Sequence, residues 1–530
     1  MLLALQLPTA APAPQSSKVR RDVIMMVADD MRPDTACTSV MGTTSGDMHT
    51  PNICKLADES LLLTRFHVAF AECAPSRASM LTSRQPHTTR VWNLHSYWRQ
   101  EGGNFTTLPQ YFKEHGYITK GIGKIFHWGP ASGKLPLPAS GLSAVYCPDN
   151  ATRSLFRGEF DSDYSWTEEY FAPDGIHDDM DGDAMQPIPE KGSDGTKAKP
   201  LADELSVAHA AETLQQIQKA RSEGTDSRAF FLAVGWIRPH LPYRFPERFL
   251  QYYDADKLEL PPTWDKLPVG MPAQAYYKSS ETREWKDIVD MDIDYRRYQN
   301  GTFLENDLQG LFLGPVKTRQ LRQGYYASIS YVDWCVGQLL DEAKKVDGYD
   351  DAVVVFMSDH GYQLGEFGLW DKETNFAMAT NAPFMIRIPG RTTPYGIKSN
   401  QLAQGVDVFP TIVAAALGHE VPVCPADSSQ VETCTQGVSL LPLTYSPHSP
   451  VNVAAFSVHP SYWKPPTDGG EVASYESARS ERFDRLEGHE ELGSLERDPR
   501  SPCLGSKRFQ LGDEKKHPTQ YLTTCIMGSS

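Results

Sequence analysis

The chain has 530 residues, 40% of them hydrophobic and 22% charged, with a formal net charge of −16. That length accommodates one large domain and a smaller one, with the composition of an ordinary globular protein. The acidic balance excludes a general nucleic-acid or anionic-membrane binder, and no apolar run reaches the length of a membrane-spanning helix.

Residues 1–20 read as a leader. Six of the first seven are apolar and Ala10-Ala11-Pro12-Ala13 follows, but no basic segment precedes them, so a signal-peptide remnant and a disordered leader both stay open. Residues 23–27 are a continuous apolar run containing Val and Ile, and Asp29 and Asp30 follow directly. This reads as a buried parallel strand with two carboxylates at its carboxyl end. Thr50-Pro51-Asn52 opens a helix with Ile53, Leu56 and Ala57 on one face. Residues 61–70 read as a strand leading to a loop at Cys73, and Ser76 and Arg77 begin the next helix.

Residues 108–115 form a short amphipathic helix that Gly116 stops. A strand over 117–119 precedes Gly121-Ile122-Gly123-Lys124. Residues 129–200 are rich in Pro, Gly, Asp and Ser and read as loops folded over one face. A helix over 208–220 and a strand over 230–234 follow, and Ile237-Arg238-Pro239-His240 comes directly after. A helix spans 319–343, and the strongest strand, 352–357, ends in Asp359-His360-Gly361. Residues 383–388 are another strand and 407–417 another helix. This alternation predicts an α/β catalytic domain over 21–445 with a largely parallel sheet. A Pro/Ser stretch at 445–450 marks the start of a C-terminal subdomain, 446–530. Within it, residues 465–517 have few apolar positions and could not bury a core alone.

Three strand ends thus deliver Asp29 with Asp30, Asp359 with His360, and His240. In open α/β sheets ligands bind outside the carboxyl ends of the strands. Gathered carboxylates repel one another unless a cation lies between them, and oxygen donors suit Ca2+ or Mg2+. One Asp-Asp pair would read as a cap or turn; two pairs beside the Cys73 loop read as a metal site. His127 and His240 taken singly read as core or turn histidines, and Lys124 and Lys372 as solvated lysines. Their glycine or proline neighbours and strand-end placement make them site candidates. Asn104, Asn150 and Asn300 open Asn-x-Ser/Thr tripeptides, which with nine cysteines favour the secretory route, lysosomal or extracellular.

Cys73-Ala74-Pro75-Ser76-Arg77, continued by Leu81-Thr82 and Arg84, fits the pattern Cys-x-Pro-Ser-Arg-x-x-x-Leu-Thr-x-Arg. It resembles the signature of the type I (formylglycine) sulfatase family, with Ser83 where that family usually has Gly. Ser96-Tyr97-Trp98-Arg99, Pro239-His240-x-Pro242, Asp359-His360 and Trp370-x-Lys372-x-x-Asn375-Phe376 are similar to the iduronate-2-sulfatase branch. The likeness runs from about residue 23 to 437.

This resemblance implies an alkaline-phosphatase-like fold: a large, mostly parallel central sheet flanked by helices, plus a small C-terminal subdomain that looks truncated at Ser530. It implies a sulfuric ester hydrolase that removes 2-O-sulfate from iduronate or a related sulfated saccharide. Cys73 would be oxidised by the formylglycine-generating enzyme during maturation, and its hydrate would attack sulfur. Asp29, Asp30, Cys73, Asp359 and His360 would hold one Ca2+. Arg77 would hold the nucleophilic hydroxyl, and Lys124 and Lys372 the sulfate oxygens. His240 would protonate the leaving oxygen and His127 deprotonate the second hydroxyl. Conversion of Cys73 leaves eight cysteines, an even number, and Cys424 would pair with Cys434. A uronate also needs a cationic partner for its carboxylate, for which Arg99, Arg238 and Arg391 are candidates. Two other readings stand beside this one: a phosphonate or phosphate diester hydrolase of the same superfamily, and a catalytically silent, glycosaminoglycan-binding relative.

Overall fold

A computed structural model describes residues 20–38, 48–94, 96–128, 161–173, 182–192, 195–266, 279–289 and 311–461, positions 131, 275, 277 and 291, and the backbone of 520–527. Residues 1–19 of the leader, Asn150, Asn300, residues 132–160 of the long excursion and residues 465–517 lie outside them.

Seven strands form the central sheet. They are β1 (Val23–Asp29), β2 (Leu61–Leu63), β3 (Ile118–Gly123), β4 (Phe230–Pro239), β5 (Val353–Ser358), β6 (Phe384–Arg387) and β7 (Ile397–Ser399). Their spatial order is β7-β2-β6-β5-β1-β4-β3. β1 pairs parallel with β4 and β5, β3 with β4, and β7 with β2. β6 is antiparallel to both β5 and β2, so it alone runs against the rest. The carboxyl ends of the others therefore share one edge of the sheet.

Every residue of β1 is buried. Its side chains alternate between two apolar layers, as the pleat requires. Ile24, Met26 and Ala28 pack with α1 (Pro51–Ala57), α4 (Ala202–Ser222) and α5 (Gly314–Ala343). Val23, Met25 and Val27 pack with α2 (Cys73–Thr82), α3 (Leu108–Glu114) and α6 (Val408–Leu417). A sheet covered on both faces explains the unbroken apolar runs in its strands.

Some expected boundaries move. The strand expected over 61–70 is broken: β2 ends at Leu63, and Phe66–His67 pairs with Ala403–Gln404 in a separate sheet. Beyond it the backbone finds other partners, Val68 N–H donating to the Thr380 carbonyl at 2.9 Å. α2 begins at Cys73 rather than Ser76, because Pro75 falls in its first turn, where no N–H is needed. β3 continues through Gly121 and Gly123. Gly123 has φ +73, and a Cβ there would meet the Gly235 carbonyl oxygen at 1.9 Å, so only glycine lets β3 and β4 meet.

β8 (Ala454–Ser461) pairs antiparallel with β9 (Gln520–Met527). β8 also lies against the approach to Cys73: Val458 N–H donates to the Ala69 carbonyl at 2.9 Å and the Ser457 hydroxyl to that of Val68 at 2.5 Å. Cys424 pairs with Cys434 as expected, and Cys37 with Cys54, which was not anticipated. Cys335 is buried and unpaired, so the eight cysteines do not all pair. The side chains of Cys147, Cys503 and Cys525 lie outside the described residues.

Candidate active site

The carboxyl edge of the sheet gathers the predicted residues. Asp29 ends β1 and Asp30 follows it, Lys124 follows β3, His240 follows β4, and Asp359 and His360 follow β5. Cys73 comes from the first turn of α2, whose N-terminus carries partial positive charge and suits an anion. Lys372 arrives on the turn after Trp370–Asp371.

Arg77 ties these elements together. Its Nε donates to Asp359 Oδ2 at 2.8 Å, its Nη2 to Asp29 Oδ1 at 3.0 Å, and its Nη1 to the carbonyls of Lys124 and Ile125. Lys124 Nζ donates to Asp29 Oδ2 and lies 3.6 Å from Cys73 Sγ. Lys372 Nζ lies 2.9 Å from Asp30 Oδ2 and 2.7 Å from Glu281 Oε2. Asp30 has φ +63 and is held there by Tyr325, whose hydroxyl donates to the Asp30 carbonyl at 2.6 Å and accepts Arg32 N–H at 2.9 Å.

The two histidine rings adopt the same tautomer. His360 Nδ1 lies 2.9 Å from the Gly361 carbonyl and His240 Nδ1 2.6 Å from that of Leu241, so each Nδ1 carries the proton. The basic Nε2 of His360 then faces Cys73 Sγ at 3.5 Å and Asp30 Oδ1 at 3.4 Å. That of His240 lies 3.8 Å from Asp30 Oδ2. His127 is half-buried on the turn after Lys124, its Nδ1 3.1 Å from the Trp128 carbonyl. The side chains of His240 and Glu281 are 24% and 25% exposed, whereas Asp29, Asp30 and Asp359 are fully buried, so the former pair lines the opening and the latter the floor.

The electrostatics divide the carboxylates. Burial alone would raise Asp29, but Lys124 and Arg77 override it and hold Asp29 well below the usual carboxylate range. Burial pushes Asp30 well up; Lys372 opposes this, and Asp29, Glu281 and Asp359 add to it. Burial and Asp29 also push the Cys73 thiol well up, so an unmodified Cys73 is a protonated thiol and a poor nucleophile. Burial lowers His360, and burial with Lys372 and Lys124 lowers His240 well below the usual imidazole value.

The donor set fits a divalent cation. Ligand atoms of Asp29, Asp30, Cys73 and His240, and those of Cys73, Asp359 and His360, lie within 4.8 Å of one another. Asp30, unlike Asp29, is only partly compensated by the surrounding cations. The three carboxylates suit a hard ion, with the neutral imidazole nitrogens of His240 and His360 beside them.

The three arginines considered for a uronate carboxylate are placed otherwise. Arg99 bonds Asp161 at 2.8 Å and Gln110 at 2.7 Å. Arg238 is buried and donates to the carbonyls of Arg244 and His240, bracing the His240 loop. Arg391 is exposed at the opposite edge of the sheet, because β6 runs backwards and its end pairs with Val354 near the start of β5. Glu281 was missed altogether: it sits in no motif, and only the fold brings it to Lys372.

The profile of the family described as Sulfatase matches residues 21–419. Human iduronate 2-sulfatase is 32% identical over 478 residues, covering 83% of this chain and 78% of its own. Choline-sulfatase of Rhizobium meliloti is 26% identical, covering 75% of this chain and 67% of its own. Among solved structures, the phosphonate monoester hydrolase of Agrobacterium radiobacter superposes with a TM-score of 0.55 at 21% identity, over 87% of this chain and 82% of that one. A protein solved with its substrate D-glucosamine-2-N,6-O-disulfate superposes with a TM-score of 0.54 at 21% identity, over 84% and 85%. These superpositions carry the alkaline-phosphatase-like fold, while the profile and the human relative carry the assignment of this mostly parallel sheet and its signature loop: the chain belongs to the sulfatase family and is a sulfatase.

Proposed function

We propose that this sulfatase uses formylglycine derived from Cys73 and one Ca2+ held by Asp29, Asp30, position 73, Asp359 and His360. We further propose that it removes sulfate from the terminal sugar of a sulfated saccharide, with 2-O-sulfated iduronate as first choice. The observation that carries the chemistry is the convergence of Arg77, Lys124 and Lys372 on the acidic floor around Cys73. Sulfatases generally use formylglycine and a divalent metal, and the raised thiol of Cys73 leaves little role for an unmodified cysteine. The sugar rests on the 32% identity to human iduronate 2-sulfatase.

When present, the formylglycine hydrate supplies the nucleophile and an exit by carbon–oxygen cleavage, and Ca2+ supplies Lewis-acid contact to sulfate oxygens. Lys124 and Lys372 bind sulfate oxygens and offset charge as it builds there. Arg77 keeps Asp29 and Asp359 in place and holds the hydroxyl at position 73. His240, at the opening, gives a proton from Nε2 to the leaving sugar oxygen. Burial, then Lys372 and Lys124, lower its basicity; a bound sulfate offsets the two lysines and raises the imidazole towards that role. His127 takes a proton from position 73; its Nδ1–H contact with the Trp128 carbonyl makes Nε2 the basic nitrogen.

Cys73 is 2% exposed, so the formylglycine-generating enzyme would meet it before the domain closes. Two disulfides suit an oxidising compartment, and we place the protein in the secretory pathway, lysosomal or extracellular. Among the described residues no helix is long and apolar enough to cross a membrane.

The test is kinetic. An aryl sulfate should be turned over far faster than an aryl phosphodiester; the reverse would favour the diester hydrolase, and no turnover of either the silent relative. A terminal 2-O-sulfated iduronate disaccharide should outperform 6-O-sulfated glucosamine, sulfated fucose and choline sulfate. Preference for one of those three would overturn the sugar and leave the reaction standing.

A further inference from the structure

Residues 279–283 carry no motif, yet the fold straps them across the turn that bears Lys372. Trp370 N–H donates to Ser279 Oγ at 2.9 Å and Thr282 N–H to Asp371 Oδ2 at 3.1 Å, with the Thr282 hydroxyl on Asp371 Oδ1. Asp371 Oδ1 also accepts the Tyr362 hydroxyl at 3.0 Å, and the Tyr243 hydroxyl donates to that of Tyr362 at 3.1 Å. Asp371 and Glu373 have φ +65 and +57. Lys372 thus sits between two residues in the left-handed region, each of which costs roughly 1–2 kcal/mol without such support.

The strap puts Glu281 Oε2 at 2.7 Å from Lys372 Nζ, while Asp30 Oδ2 lies at 2.9 Å. An ammonium has three N–H donors on a rotatable head. One carboxylate leaves that head free to turn; two fix it. With two donors engaged, the third is confined to one direction. Burial works against charge on Lys372, but Asp30 and Glu281 outweigh it and keep the ammonium charged.

We propose that Glu281 is a positioning residue for the sulfatase reaction: together with Asp30 it orients the Lys372 ammonium so that its remaining N–H meets a sulfate oxygen. This rests on the reading of Lys372 as a sulfate-oxygen ligand. Glu281 itself touches neither the nucleophile nor the scissile bond.

A double-mutant cycle on the full-length enzyme tests it. Glu281→Ala should lower kcat/KM for an aryl sulfate by roughly tenfold to a hundredfold, the scale expected when a catalytic group is slightly misplaced. The loss should fall in kcat more than in KM, because orientation counts most in the transition state. Glu281→Gln, which keeps the size and one oxygen acceptor, should retain part of the activity and serves if the alanine variant does not fold. In a Lys372→Ala background, removing Glu281 should change kcat/KM by less than about twofold, since it then has nothing to orient. Dissociation constants for inorganic sulfate close the same cycle where turnover is too slow. Wild-type kinetics for both Glu281→Ala and Glu281→Gln would overturn the proposal. So would losses that add in full to that of Lys372→Ala, which would mark Glu281 as a structural pin of the loop. Full activity of Lys372→Ala alone would place the failure in the underlying reading of Lys372 and overturn the proposal with it.

Discussion

Arg77 Nε donates to Asp359 Oδ2 at 2.8 Å while Nη2 of the same guanidinium donates to Asp29 Oδ1 at 3.0 Å, so one planar fork joins the ends of β5 and β1. All three side chains are buried. A lysine has one charged nitrogen and cannot span both carboxylates and the Lys124 and Ile125 carbonyls. Arg77→Lys is therefore expected to lose on the order of 3 kcal/mol of stability, the cost of breaking a buried pair. Activity should fall with it. Denaturant unfolding checks this, and an unchanged midpoint would mean that the fork holds nothing.

The carboxylates of Asp29, Asp30 and Asp359 share the floor with only partial compensation for Asp30. Mass spectrometry of the native protein should find one divalent ion per chain, most of it calcium. Chelation should lower the melting temperature, because an ion bound only by the folded state stabilises it. Asp359→Asn should lower bound metal and abolish the chelator response together. Metal-free preparations of unchanged melting temperature and full activity would rule the ion out.

Position 73 should carry an aldehyde when the protein is made in cells that have the modifying enzyme. Hydrazide capture followed by peptide mapping reads this directly. The fraction labelled should track specific activity across preparations; fully active protein containing only the thiol would exclude the proposed nucleophile.

Much of this site could be read in the sequence because its residues lie at the ends of strands. Runs such as 23–27 and 352–357 are apolar because both faces of the sheet are covered, and the polar residues ending them mark the functional edge. What stayed hidden depends on chain segments far apart in sequence. Glu281 reaches Lys372 through a strap with no periodicity of its own. Tyr325 reads as one more apolar position of α5, and only packing shows that its hydroxyl bridges the Asp30 carbonyl and Arg32 N–H. The reversal of β6 is equally silent, since an apolar run carries no direction, and it sends Arg391 to the wrong edge. Arg99 and Arg238 were candidates that no sequence could place, because charge in a sequence does not name its partner.

Ser83, where the family usually has Gly, ends α2 with φ +54, in the left-handed region that a Schellman-type helix end favours. Its side chain compensates: Oγ donates to the Val406 carbonyl at 2.6 Å and lies 2.7 Å from Thr435 Oγ1. Ser83→Gly relieves a strain of about 1 kcal/mol and loses hydrogen bonds of similar size. Its stability should therefore stay within about 1 kcal/mol of wild type. Ser83→Ala keeps the strain, loses the bonds, and should cost about 1–3 kcal/mol. Urea midpoints separate the two; equal losses would show that the left-handed turn is not what Ser83 is accommodating.

Asp407 joins three segments at the start of α6. Its Oδ2 accepts Gln404 N–H at 2.8 Å and the Asn452 amide at 2.7 Å, and its Oδ1 accepts Val438 N–H at 2.8 Å. Burial raises its carboxyl to about 6 in spite of these three donors. An unfolded aspartate titrates near 3.9. The folded state therefore binds the proton more tightly, so this contribution to stability is complete below about pH 4 and is lost as pH rises through about 6. The full span is worth about 3 kcal/mol, and about 2 kcal/mol of it falls between pH 7.5 and 4.5. Asp407→Asn has no proton to bind, so its own stability gains no pH dependence from this source. The stability gap between wild type and Asp407→Asn is thus expected to widen by about 2 kcal/mol when urea unfolding at pH 7.5 is repeated at pH 4.5. A protein working in an acidic compartment would gain from that sign. A gap that is constant, or narrows on acidification, would mean that Asp407 remains ionised throughout and that its three donors outweigh its burial.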